Sequence, residues 1–195
     1  MNEPTTTRTC TRVTLKNGAS AVVRPVRVED APDILEMTRL VHELDLGVVR
    51  TMDEIPANLE AQQRELQSWV KGIRSPPNGQ MMVCEVGGQV RGAGSVRRMM
   101  YERMRHTGHI GLAVHPDWQG LGIGRAIMEA LIEWANSDES EGITRLDLSA
   151  LADNHRAMKL YESLGFAHEG IRRSSVRRDD GTLVDDVLMA RLLDE

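Results

Sequence analysis

The chain is poor in residues that staple or decorate a small protein. Its 195 residues include two cysteines, Cys10 and Cys84. They stand far apart, which excludes a disulfide framework and the paired spacing of a metal site. Cys84 lies in an apolar run and is expected to be a small core residue. No His/Cys/Asp/Glu cluster has metal-ligand spacing, and no Ser/His/Asp arrangement is evident, so no metal is expected. Aromatics are scarce, with one Phe, two Tyr and three Trp. The eleven methionines are therefore expected to fill core volume. A basic excess is missing as well: the net charge is −5, which argues against a general nucleic-acid surface. No apolar run approaches the roughly 20 residues of a spanning helix. Residues 1–12 lack the apolar core of a signal peptide. The expectation is a cytoplasmic protein with no membrane and no nucleic-acid partner. What remains, 41% hydrophobic residues at this length, suits a single domain with a real core.

Periodicity gives the organisation. Residues 1–11 read as a loose tail. Two extended runs, 12–16 and 19–24, flank Asn17-Gly18, a hairpin signal whose two central positions want φ > 0. Glu29-Asp30-Ala31-Pro32 opens a helix with Ile34, Leu35, Met37, Leu40 and Val41 on its apolar side. Residues 42–56 are irregular and acidic, where Glu43, Asp45, Asp53 and Glu54 outweigh Arg50. A second helix is expected over 59–73, then a break at 75–79. Strands over 81–86 and 89–97 follow, and Gly92 and Gly94 mark a bulge or a close backbone approach. Residues 97–105 read as a solvated basic turn. A strand over 106–114 puts Ile110, Leu112 and Val114 on one face and His109 and Gly111 on the other. A third helix, a strand over 143–150, a fourth helix over 154–164 and a last hairpin around Asp179-Asp180-Gly181 complete the chain. The fold class is α+β, with a mixed, mostly antiparallel sheet of about seven strands and about four helices. Residues 1–21 form a tail and hairpin strand, and 22–195 one domain.

The densest signal is His115-Pro116-Asp117-Trp118-Gln119-Gly120-Leu121-Gly122-Ile123-Gly124-Arg125. Pro116 stops the apolar run before it. Ile123, Ile127, Leu131 and Trp134 then recur at helical spacing. Strand, glycine loop and helix in that order build an anion site. The first helical turn has N–H groups with no intrahelical partner, and the macrodipole adds positive charge there. A dinucleotide fingerprint needs a third glycine where Arg125 stands, and a nucleotide P-loop needs Gly-Lys-Ser/Thr, which does not occur.

Gln119-x-x-Gly122-x-Gly124 resembles the coenzyme A pyrophosphate loop of the GCN5-related N-acetyltransferase (GNAT) superfamily. A later run resembles the same superfamily's second signature: Asn154, Ala157 three on, Tyr161 seven on, then Gly165-Phe166. Arg24-Pro25 followed by Glu29-Asp30 resembles its first strand and helix. The run from Glu169 to Met189 looks like the branch of amino-acid, small-amine and ribosomal-protein acetyltransferases. The resemblance implies a sheet that splays between its fourth and fifth core strands, with acetyl-CoA entering the gap. It implies that the backbone of Leu112, Ala113 and Val114 pairs with pantetheine. It implies that Gln119, Gly120, Leu121, Gly122, Ile123, Gly124 and Arg125 hold the pyrophosphate, and that Asn154, a helix N-cap, also touches the pantetheine arm.

Amide formation from a thioester needs a neutral amine, hydrogen bonds at the carbonyl and a proton for the thiolate. By resemblance Tyr161 is the general acid. Many relatives carry a Glu base on the strand before the loop, and this strand has none. His109 is the local substitute, since imidazole titrates near neutrality. His106 is a second choice, and a water chain a third. His115 is expected to shape the turn. Acidic residues at 53 and 54 would draw a cationic amine to an acceptor wall. The reading is acetyl transfer to a primary amine of a small molecule. Acetylation of a protein N-terminus or lysine, and a non-catalytic acyl-CoA-binding regulator, stand as alternatives. A homodimer through the last hairpin is left open.

Overall fold

The computed structural model describes residues 10–47, 51–70 and 79–193. One sheet of eight strands runs through the molecule in the order β1-β2-β3-β4-β5-β6-β8-β7. The strands are β1 (Thr11–Thr14), β2 (Ser20–Pro25), β3 (Gly79–Val86), β4 (Gln89–Arg98), β5 (Thr107–Val114), β6 (Arg145–Leu151), β7 (Ala167–Arg177) and β8 (Leu183–Leu192). Every pairing is antiparallel except β5 with β6. The count exceeds the expected seven by β1, the short hairpin strand. Four α-helices pack on the sheet: α1 (Ala31–Glu43), α2 (Leu59–Val70), α3 (Ile123–Ala135) and α4 (His155–Ser163). The expected end of the second helix, 71–73, lies outside the described residues, as do Arg50 and most of the tail.

The two faces carry two cores. α3 buries Ile123, Ile127, Met128 and Leu131 completely, and they meet Val23, Cys84, Val96 and Leu146 from the sheet. On the opposite face Ile34, Met37 and Val41 of α1 and Leu66 of α2 close over Val83, Val90 and Ala93. Met37, Met128 and Met189 are buried, so part of the methionine complement does serve as core, whereas Met100 is 81% exposed.

Gly92 and Gly94 act in both ways expected of them. The β3–β4 register shifts at Cys84/Glu85, opposite Gly92. A Cβ at Gly92 would stand 2.6 Å from Ile123 Cγ2, and one at Gly94 2.7 Å from Ile127 Cγ2. Their bare backbone lets α3 lie close on the sheet.

The first hairpin forms with a different turn from the one expected. Only Gly18 has positive φ, +83°. The Leu15 N–H donates to Ala19 O at 2.9 Å, and the Asn17 side chain accepts from the Ala19 N–H at 3.1 Å. The loop is thus longer than a two-residue turn, and Asn17 caps it by side chain. The 97–105 region also differs from a solvated turn. β4 continues through Arg98, which is buried and donates to the carbonyls of Arg105 and Ser140.

Candidate functional site

β5 and β6 are partners only over Thr107–Arg145, Gly108–Leu146 and His109–Asp147. Beyond His109 they part, while β5 stays on β4 up to Val114 and β6 stays on β8 up to Leu151. The gap opens a cleft of about 1190 Å³ that reaches α1, α2, α4 and the loop before α3. The expected splay between the fourth and fifth core strands is this gap, once β1 is set aside.

Strand geometry fixes which peptide groups face it. Met99 N–H donates to Thr107 O and His115 N–H to Arg91 O. Odd-numbered residues of β5 therefore spend their N–H and C=O on β4, and even-numbered ones face the other way. Leu112 and Val114 present their amides to the gap. Ala113 does not: its backbone pairs with Ala93, so its expected part in an added ladder is corrected, although it does line the cleft.

The glycine loop is built from the strand end outward. Pro116–Trp118 forms a 3-10 turn, and His115 Nδ1 accepts the Asp117 N–H at 3.3 Å. His115 is thus a turn-shaping residue, as expected. Gln119 Nε2 donates to Val114 O at 3.3 Å, and its Oε1 accepts from Arg156 at 2.8 Å, which ties the loop to β5 and α4. Gly120 and Gly122 have φ of +79° and +105°, and a Cβ on either would meet nothing within 4 Å. Within α3, Ala126 N–H reaches Gly122 O, and Gly122 supplies no side-chain cap. The N–H groups of the first turn therefore have no intrahelical acceptor. Gly120, Gly122, Gly124 and Arg125 line the cleft.

Leu121 and Ile123 do not line it. Ile123 is buried under β4, and Leu121 packs on the same core while its carbonyl accepts from Lys16 N–H at 3.0 Å. Their side chains anchor the loop, and only their peptide N–H groups are left for a ligand.

Asn154 and Tyr161 lie across the gap on α4. Asn154 is the N-cap, its Oδ1 accepting the Ala157 N–H at 3.1 Å. Its amide lies against the turn after α1, where a Cβ on Gly47 would come within 2.8 Å of Nδ2. Tyr161 is buried, its ring 6.1 Å from that of Phe166. Burial pushes its phenol up to about 12, so it stays protonated at neutral pH. Both residues line the cleft.

His109 lines it from the sheet side. Its Nδ1 lies 2.8 Å from Asp147 Oδ1. His106, by contrast, does not reach the cleft, and its carbonyl accepts from Thr144 and Arg145. Asp53 and Glu54 are absent from the lining too, which corrects the expected acidic wall. Glu54 instead accepts the Thr51 N–H and closes its own turn. Asp45 does line the cleft but is paired with Arg178 at 2.7 Å.

Three residues here were missed from sequence: Asp147, Arg97 and Trp69. Asp147 alternates with Leu146 and Leu148 on β6, a detectable period-2 signal, but its partner is set by strand register. Arg97 and Trp69 meet across 28 positions of chain, with the guanidinium 4.6 Å from the ring centroid.

The model of the Acetyltransferase (GNAT) family matches residues 48–166, and the chain belongs to that family. An L-amino acid N-acetyltransferase of Escherichia coli K12, AaaT, is 28% identical over 124 residues, 64% of this chain and 75% of that protein. The ribosomal protein bS18-alanine N-acetyltransferase of the same strain is 43% identical over 79 residues, 40% of this chain and 51% of its own length. The structure of yncA from Salmonella typhimurium, solved with its cofactor acetyl-CoA, superposes with a TM-score of 0.76 at 21% identity, over 90% of this chain and 95% of that one. A ribosomal-protein-alanine N-acetyltransferase from Brucella melitensis gives 0.75 at 24%, over 88% and 99%. The structural likenesses establish the fold, and family and relatives together identify an N-acetyltransferase. The residues present fit acetyl-CoA, the family's donor: a bare glycine cradle at an uncapped helix start, and amides of Leu112 and Val114 turned to the gap.

Proposed function

We propose that this enzyme transfers the acetyl group of acetyl-CoA to the primary amine of a small molecule, an amino acid or related amine, by direct attack in a ternary complex. One observation carries the reading: a diphosphate cradle, a protonated buried phenol and a histidine–carboxylate pair open onto a single cleft. The peptides of residues 120–125 hold the pyrophosphate, and those of Leu112 and Val114 pair with the pantetheine arm as an added strand would. Asn154 contacts the same arm from the other side of the gap.

The acceptor nitrogen attacks the thioester carbonyl carbon, and negative charge moves to the carbonyl oxygen. The C–S bond then breaks. Tyr161 gives its phenolic proton to the departing sulfur, so CoA leaves as a thiol. The nitrogen loses its extra proton to His109 Nε2, and solvent restores both residues to their starting states.

The test is thiol release from acetyl-CoA with free amino acids, polyamines and peptides as acceptors. Release with the small amines is expected, together with acetyl-CoA binding in calorimetry. Release with peptides alone would move the reading to protein acetylation. Binding without release to any acceptor would favour a non-catalytic regulator.

A further inference from the structure

Arg97 occupies an unusual place among the arginines of the cleft. Among the described residues four line it: Arg97, Arg125, Arg156 and Arg178. Arg125 pairs with Glu129, Arg156 donates to Gln119, and Arg178 bridges Asp45 and Asp153. Arg97 alone of the four has no oxygen partner among the described residues. Its guanidinium instead stands over the Trp69 ring. A cation–π contact holds the guanidinium without spending its N–H groups on an oxygen, and those are the groups that a carboxylate grips with two parallel bonds.

Register sets Arg97 directly beside the histidine of the proposed reaction. Arg97 of β4 is the cross-strand partner of His109 of β5, and His109 is the partner of Asp147 of β6. Arg97 and His109 form a hydrogen-bonded pair, so their Cα atoms start about 5.5 Å apart with side chains on the same face. An α-amino acid separates its nitrogen from its carboxylate by one carbon. Seated with the carboxylate on Arg97, it brings the nitrogen to the neighbouring His109. Glu65, the acid on the same wall, already has an interaction of its own.

We infer that Arg97, steadied by Trp69, is the anchor for a carboxylate on the acceptor, and that the preferred acceptors are free amino acids rather than peptide N-termini or polyamines. A peptide N-terminus has a neutral amide where the free amino acid has its charge, and a polyamine has no acid at all. The inference rests on the acetyl-transfer reading above and narrows it.

The experiment measures thiol release from the full chain with free L-amino acids, with the same amino acids as carboxamides, and with a short peptide bearing a free N-terminus. The wild type is expected to favour acids over carboxamides by at least tenfold in kcat/KM. Arg97→Gln is expected to erase that preference through a rise in KM of tenfold or more, with kcat changed less than threefold. Arg97→Lys should recover part of it. Acetyl-CoA affinity, measured by calorimetry, shows that each variant is folded. Equal use of acids and carboxamides by the wild type overturns the inference, as does a preference that survives in Arg97→Gln. Either result leaves the transferase standing. A wild type without affinity for acetyl-CoA overturns the transferase reading itself, and the inference with it.

Discussion

His109 Nδ1 lies 2.8 Å from Asp147 Oδ1, and the two residues are the last cross-strand partners before β5 and β6 separate. A carboxylate at Nδ1 keeps the proton there and leaves the lone pair on Nε2. Asp147→Asn offers an amide that can donate to Nδ1, which moves the ring proton to Nε2 and takes away the proposed base. We expect kcat/KM to fall on the order of 10²-fold, with acetyl-CoA affinity unchanged. A kcat/KM–pH profile identical to wild type would show that the pair is structural.

Gly122 starts α3 with φ of +105°, and a Cβ there would meet no atom within 4 Å. The penalty for Gly122→Val therefore lies in the backbone, about 1–3 kcal/mol if the turn is held. Relaxing that strain would turn the first-turn N–H groups away from the proposed diphosphate position. Acetyl-CoA affinity should weaken tenfold or more while circular dichroism stays that of the folded protein. Calorimetry decides it.

Tyr161 is held neutral by burial, with its phenol near 12 against an ordinary value of about 10. For activity, Tyr161→Phe should lower kcat by roughly 10²-fold with little change in acetyl-CoA binding. Below pH 10 no alkaline loss of kcat should arise from this group. For stability, the folded pKa is above the unfolded one, so the contribution is complete below about pH 10 and is lost as pH rises toward 12. It amounts to at most ~3 kcal/mol. Cys84, pushed up to about 11 by burial, adds its own loss over a lower window, from about pH 9. Urea melts at pH 8 and pH 11 should show a smaller drop for the Phe variant than for wild type. Equal drops would contradict the account.

Local signals explain why much of this was readable in advance. The period of Ile123, Ile127 and Leu131, the break at Pro116 and the bare glycines specify strand, loop and helix without tertiary help. Asn154 reads as a cap because its partner, the Ala157 N–H, is three residues away. What stayed hidden depends on register between distant strands. Arg97, His109 and Asp147 form a row only because three separate strands align, and a shift of one residue would scatter them. The acidic wall failed for the converse reason. Asp53 and Glu54 are acidic as read, but which face of an irregular connector meets the cleft is set by packing. Asp45 reaches it and is neutralised by Arg178, a residue 133 positions later.

Arg24 and Asp30 form a buried pair outside the cleft. Both are under 10% exposed, and Asp30 accepts from Arg24 at 2.8 and 2.7 Å and from the Arg27 N–H at 2.7 Å. Arg24 also donates to Glu85 at 2.9 Å. The Asp30 bond is the largest of the causes that raise the Arg24 pKa, so the guanidinium cannot escape by losing its proton. Asp30→Ala strands that charge and leaves the Arg27 N–H without its acceptor at the entry to α1. The expected cost is about 3–5 kcal/mol, a fall in Tm of roughly 10 °C or more for a chain of this size. Replacing both partners by apolar residues, Arg24→Met with Asp30→Leu, should recover most of the loss, because no buried charge remains. Neither residue lines the cleft, so acetyl-CoA affinity measured well below Tm should stay within twofold in both variants. Calorimetric melts of the single and double variants decide the matter: a single variant as stable as wild type would mean that Glu85 alone suffices to hold Arg24.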